Sequence, residues 1–165
     1  MACPYFVPRE IVYDIAWPHP ARLPLGAGWT GSCSAFPAAA DSSGTDKSAT
    51  DISATDSAAA NTLTTSPVDS ARLRDFCNLG YATACPNLPP VRDWDAVRFS
   101  VANRTAEKIT LYYVCEKAHA PIAHGTLTCD LAADTWLDAP ADPRIRRLAA
   151  SYLQAYRVRQ CSALI

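Results

Sequence analysis

The chain has 165 residues, 49% of them apolar and 19% charged, and carries a formal net charge of -1. That length and balance describe one globular domain around a single core, with no electrostatic footprint for nucleic acid or an anionic membrane. The sequence holds no run of about eighteen apolar residues, so no spanning helix is expected.

The chain opens Met1-Ala2-Cys3-Pro4-Tyr5-Phe6-Val7-Pro8-Arg9-Glu10. Prolines and early charges interrupt it, so no apolar core of a secretory signal forms and a cytoplasmic location is expected. Seven cysteines is a high count for this length. In a reducing compartment they read as core thiols, metal ligands or reactive groups rather than disulfides.

Pro4, Pro8, Pro18 and Pro20 preclude a long helix in the first segment. Residues 17–33 are rich in Pro, Gly and Trp, yet Tyr5, Phe6, Trp17, Leu23, Leu25 and Trp29 must pack on something. Residues 1–36 therefore read as an irregular Cys-bearing N-terminal lobe wrapped over a core. From 37 to 65 the chain is mostly Ala, Ser, Thr and Asp, with the echo Ser48-Ala49-Thr50-Asp51 and Ser53-Ala54-Thr55-Asp56. So little apolar surface cannot offset the entropy of ordering, and a disordered low-complexity insertion is expected.

Order resumes at Ser66, read as an N-cap with Pro67 at the first helical position and Asp69 three residues after the cap. Leu73, Phe76 and Cys77 form the apolar stripe of this helix and Gly80 its stop. Cys85-Pro86 follows in a turn with Pro89 and Pro90. Three strands are then expected: Val97, Phe99 and Val101 alternating with Arg98 and Ser100; the apolar run Ile109 to Cys115; and Leu127, Cys129 and Leu131. A last helix starts near Pro143, with Ile145, Leu148, Ala149, Tyr152 and Tyr156 on one face. The fold class is α+β: a small three-stranded antiparallel sheet with a C-terminal helix, residues 66–165 forming one domain with 1–36.

Position sorts the cysteines. Cys115 and Cys129 share strand parity with apolar neighbours and read as small core hydrophobes, while Cys161 lies in the C-terminal tail. Cys3 and Cys33 sit in Pro- and Gly-rich chain, Cys77 ends a helix, and Cys85 opens a turn. Backbone can bend at such places to aim several sulfurs at one centre. Four thiolates complete a structural zinc site or a [4Fe–4S] cluster, and either would help order the N-terminal lobe. The spacing lacks the close Cys pairs common to both. Cys3-Pro4 and Cys85-Pro86 echo the Cys-Pro that closes bacterial ferredoxin motifs, and Tyr5, Phe6, Trp29, Phe76 and Tyr81 would shield a cluster. The reading is a small iron–sulfur protein for electron transfer or redox sensing, non-enzymatic, with a redox or acidic protein partner. A zinc-stabilised interaction module and a metal-free thiol protein are the alternatives.

The segments Met1-Ala-Cys-Pro-Tyr-Phe6, Trp17-Pro-His-Pro-Ala-Arg-Leu-Pro-Leu-Gly26, Phe76-Cys-Asn-Leu-Gly-Tyr-Ala82 and Trp94-Asp-Ala-Val-Arg-Phe99 resemble a family of small bacterial proteins. The resemblance covers most of the chain except the insertion. It supports the domain boundaries and implies no activity.

Other constellations weigh less. Glu116, His119 and His124 lie near Cys115, where they could serve a thiol nucleophile or a metal, but a solvated hairpin loop accounts for them. His19, between two prolines, reads as a packing residue. Arg144, Arg146, Arg147, Arg157 and Arg159 give the last helix a local charge of +5, which suits an acidic partner or simply a solvated face. Gly26-Ala27-Gly28-Trp29-Thr30-Gly31 lacks the strand, helix and Lys of a phosphate loop.

Overall fold

The computed structural model describes residues 2–13, 17, 23–35, 65–78 and 82–162. The insertion expected at 37–65 lies outside the described residues except for Thr65, as do His19, Gly80 and Tyr81. Two antiparallel sheets and one long helix share a common core.

The first sheet has strands β1 (Phe6–Val12), β2 (Gly28–Cys33) and β3 (Ser66–Pro67), with β2 in the middle. This corrects the expectation of an irregular N-terminal lobe. Proline excludes helix here, but an edge strand tolerates it, because the missing N–H faces away from the ladder. Pro8 sits opposite Gly31 on the edge strand β1, next to a register shift between Pro8 and Ile11. Thr30 Oγ1 takes up the Glu10 N–H there, at 3.2 Å.

The second sheet corrects the expected strand count. It has four strands in sequence order: β4 (Ala96–Arg104), β5 (Lys108–Lys117), β6 (Ala120–Asp130) and β7 (Thr135–Asp138). The strand missing from the sequence reading is β7, four residues long and too short for alternation to declare itself. The chain turns into it where Asp130 Oδ1 accepts the Ala132 and Ala133 N–H groups, both at 2.9 Å. The three strands that were expected are present, with Val97, Phe99, Ile109, Leu111, Cys115, Leu127 and Cys129 all buried.

Between the sheets in sequence lies a short helix, α1 (Ser70–Arg72), which continues as a π-helical turn over Leu73–Asn78. Its cap is Asp69, whose carboxylate accepts the Arg72 N–H at 2.9 Å, rather than Ser66. Ser66 and Pro67 instead pair with Cys33 and Ser32. Both Ser66 and Asp69 can cap a helix, and the sheet claims the first.

The long helix α2 (Pro143–Ser162) begins where expected, with Pro143 in its first turn and Asp142 accepting the Arg144 N–H at 2.8 Å. Ile145, Leu148, Ala149, Leu153 and Ala155 are buried along one face, against β1 and β4. Among the described residues no helix is long and apolar enough to cross a membrane. The two sheets are tied at the start of the chain: Ala2 and Val97 exchange backbone hydrogen bonds of 2.9 and 3.0 Å. That bridge holds Cys3, the next residue, against the core.

Candidate functional site

Four cysteines from four separate segments line one cavity of about 20 Å³: Cys3, Cys33, Cys77 and Cys85. Cys3 precedes β1 in a turn where the Phe6 N–H donates to the Cys3 carbonyl at 3.2 Å. Cys33 ends the central strand β2, opposite Phe6 on one side and Ser66 on the other. Cys77 lies on the π-helical turn, and such widened turns recur at functional sites. Cys85 follows a single 3₁₀ turn (Ala82–Ala84), and the Leu88 N–H closes its own turn on the Cys85 carbonyl at 3.0 Å. Sequence reasoning singled out these same four, and Cys115, Cys129 and Cys161 do not line the cavity.

The walls between the sulfurs are largely apolar: Tyr5, Phe6, Val68, Phe76 and Leu88, with Arg72 the cation among them. Cys3 and Cys77 are buried, and Cys33 and Cys85 partly so. Burial pushes the Cys3 thiol up to about 12, and the nearby Cys33 and Cys85 add to the rise, while the Tyr5 and Phe6 backbone N–H groups oppose it. Burial likewise raises Cys77 to about 12, helped by Cys3, Cys33 and Cys85 and opposed by Arg72. The four sulfurs are therefore electrostatic neighbours, and the surrounding thiols disfavour a thiolate at Cys3 and at Cys77. Among the described residues no group of three or more His, Cys, Asp or Glu is arranged to hold a metal ion. The four thiols line a space; they do not close on a point.

One residue that holds the site together escaped the sequence reading. Asn78, next to Cys77, is 3% exposed. Its Oδ1 accepts the Trp29 N–H at 2.8 Å, and its Nδ2 donates to the Trp29 and Leu73 carbonyls, both at 2.9 Å. It thereby fixes the Cys77 turn to the strand that carries Cys33. The signal available in the sequence was a lone amide in an apolar stripe, directly after a cysteine.

The thiol-enzyme alternative loses its nucleophile. Cys115 is 2% exposed, and burial pushes its thiol up to about 11. Glu116 is buried and pairs with Arg98 at 2.8 Å, His119 sits in the β5–β6 turn, and His124 lies beside Tyr112 on β6. The arginines of α2 are mostly engaged within the molecule. Arg144 pairs with Asp142 at 2.7 Å and with Asp93 at 3.2 Å, lying over the Trp94 ring. Arg157 pairs with Asp134 at 2.8 Å, and Arg159 donates to the Gly26 carbonyl at 2.5 Å. Of Gly26 to Gly31, the stretch compared with a phosphate loop, Gly28 to Gly31 belong to strand β2.

Comparison of the chain with protein-family models, with curated proteins and with solved structures found no match.

Proposed function

We propose that Cys3, Cys33, Cys77 and Cys85 hold a [4Fe–4S] cluster, making the chain an electron-transfer or redox-sensing protein. The observation that carries this reading is the gathering of four cysteines, from four separate segments, around one apolar cavity. Four thiols form the full ligand set of such a cluster, and backbone N–H groups directed at a sulfur, as Tyr5 and Phe6 are at Cys3, tune its potential. Without a cation, burial keeps the Cys3 and Cys77 thiols protonated. Binding iron would release those protons and require the cavity to widen around the cluster, coupling the centre to the order of β1, β2 and the Cys77 turn.

A second reading, one structural zinc on the same four sulfurs, is favoured by the size of the cavity. At about 20 Å³ it has room for roughly one water-sized body. The protein would then be a zinc-stabilised interaction module.

Anaerobic purification with iron, sulfide and zinc analysis separates the two. The cluster predicts a brown protein absorbing broadly near ~400 nm, with about four irons per chain, lost in Cys3→Ser, Cys33→Ser, Cys77→Ser and Cys85→Ser but kept in Cys161→Ser. About one zinc and no colour selects the second reading. A folded, metal-free protein after growth with both metals overturns both.

A further inference from the structure

A cleft of about 490 Å³, lined by none of the four clustered cysteines, opens between β1, β2, β6, β7 and α2. Three guanidinium groups line it, from Arg9, Arg147 and Arg157, against one carboxylate, Asp134. Asp134 is already paired with Arg157, at 2.8 Å. The lining thus keeps an excess positive charge near Arg9 and Arg147. Arg147 is poorly satisfied: its Nη2 reaches the Pro4 carbonyl only at 3.5 Å, and its buried Nε has no partner among the described residues. Trp29 also lines the cleft at 2% exposure, and its Nε1 is unpartnered too. Trp136 supplies a partly exposed aromatic wall.

We propose that this cleft binds a small organic anion, its carboxylate or phosphate group held by Arg147 and Arg9 and its flat apolar body lying against Trp136. The volume is that of a small-molecule site, and a planar guanidinium fork matches both kinds of oxyanion. A buried donor left without an acceptor is costly, and an anion placed here would satisfy the Arg147 side chain. Burial holds the Arg147 guanidinium below its ordinary value, as expected of a cation short of counter-charge. This inference does not depend on the metal reading, because the four clustered cysteines do not line the cleft.

The test is titration of the full chain with phenyl phosphate, benzoate and inorganic phosphate, followed by calorimetry and tryptophan fluorescence. Either aromatic anion should bind with an affinity that falls as salt rises, and whichever binds tighter identifies the oxyanion preferred. Arg147→Gln should weaken that binding about tenfold or more, as expected for loss of a charge-assisted hydrogen bond, with metal content unchanged. Arg9→Gln, at an exposed side chain, carries the same expectation should Arg147→Gln fail to fold. Arg146→Gln, which does not line the cleft, should bind as the parent does. No binding of either aromatic anion at ~10 mM, or equal binding by the parent and the Arg9 and Arg147 variants, overturns the proposal. Inorganic phosphate binding as tightly as phenyl phosphate would overturn the role given to Trp136.

Discussion

Asn78 holds Trp29 by both edges of its amide, accepting from the Trp29 N–H at 2.8 Å and donating to the Trp29 carbonyl at 2.9 Å. It stands in for a neighbouring strand at the start of β2. Because Cys77 precedes Asn78 and β2 ends in Cys33, this one side chain sets the distance between two segments of the cysteine site. Asn78→Ala leaves the Trp29 N–H and carbonyl and the Leu73 carbonyl without that partner. An unsatisfied buried polar group costs about 1–3 kcal/mol, so a loss on the order of 3 kcal/mol is expected in urea denaturation. Metal content should fall along with stability. A loss below about 1 kcal/mol would show that Asn78 does not fix the turn.

Gly31 makes a second, steric demand on the same site. A Cβ at position 31 would stand 2.6 Å from the Phe6 ring and closer still to the Val7 carbonyl, and Phe6 lines the cysteine cavity. The backbone cannot yield without breaking the β1–β2 ladder. Gly31→Ala should therefore destabilise the protein by about 1–3 kcal/mol, the range for overpacking, and perturb the cavity through Phe6. Denaturant midpoints and metal content of this variant check both effects.

Residue pattern made part of this structure legible. The strands at Val97–Val101, Ile109–Cys115 and Leu127–Cys129 pack against one core, and α2 is marked by Pro143 and a continuous apolar face. The four site cysteines stood out because they fell outside those patterns. The N-terminal sheet did not show itself, because β1 is broken by Pro8 and a register shift, and β2 is Gly-Trp-Thr-Gly-Ser-Cys. Strand pairing there depends on partners far along the chain and on close approach over Gly31, which no local window contains. Asn78 was hidden for the same reason, since an amide's value lies in the distant backbone it reaches.

The β5–β6 hairpin carries a local conflict that a single change should relieve. Lys117 pairs with Ala120 across a two-residue loop in which Ala118 and His119 have φ of 48° and 66°. Both central residues of this mirror-image turn lie in the left-handed region, where an L-alanine is disfavoured by about 1 kcal/mol or more relative to glycine. The conformation is maintained in part by Asp95, whose Oδ2 accepts the Ala118 N–H at 2.7 Å. Ala118→Gly keeps that hydrogen bond and removes the Cβ. A gain of about 0.5–1 kcal/mol is expected by denaturant or thermal unfolding, the strain relieved exceeding the added entropy of the unfolded chain.

Cys3 and Cys77 predict the pH response of the metal-free protein. Both thiols rise from the ordinary value of 9.0 to about 12, chiefly through burial. Between those two values the unfolded chain has lost protons that the folded chain still holds, so stability must fall as pH rises. It is fully present below about pH 9 and drains away toward pH 12, on the order of 1 kcal/mol per pH unit for each thiol. Other groups titrate in this window as well, so the useful quantity is the difference between the parent and Cys77→Ala. The variant should start less stable at pH 8 and show a shallower decline above pH 9. Parallel curves would mean that Cys77 is not held protonated by the fold. Bound metal should reverse the sign, because the folded state then carries thiolates and is stabilised as pH rises through neutrality.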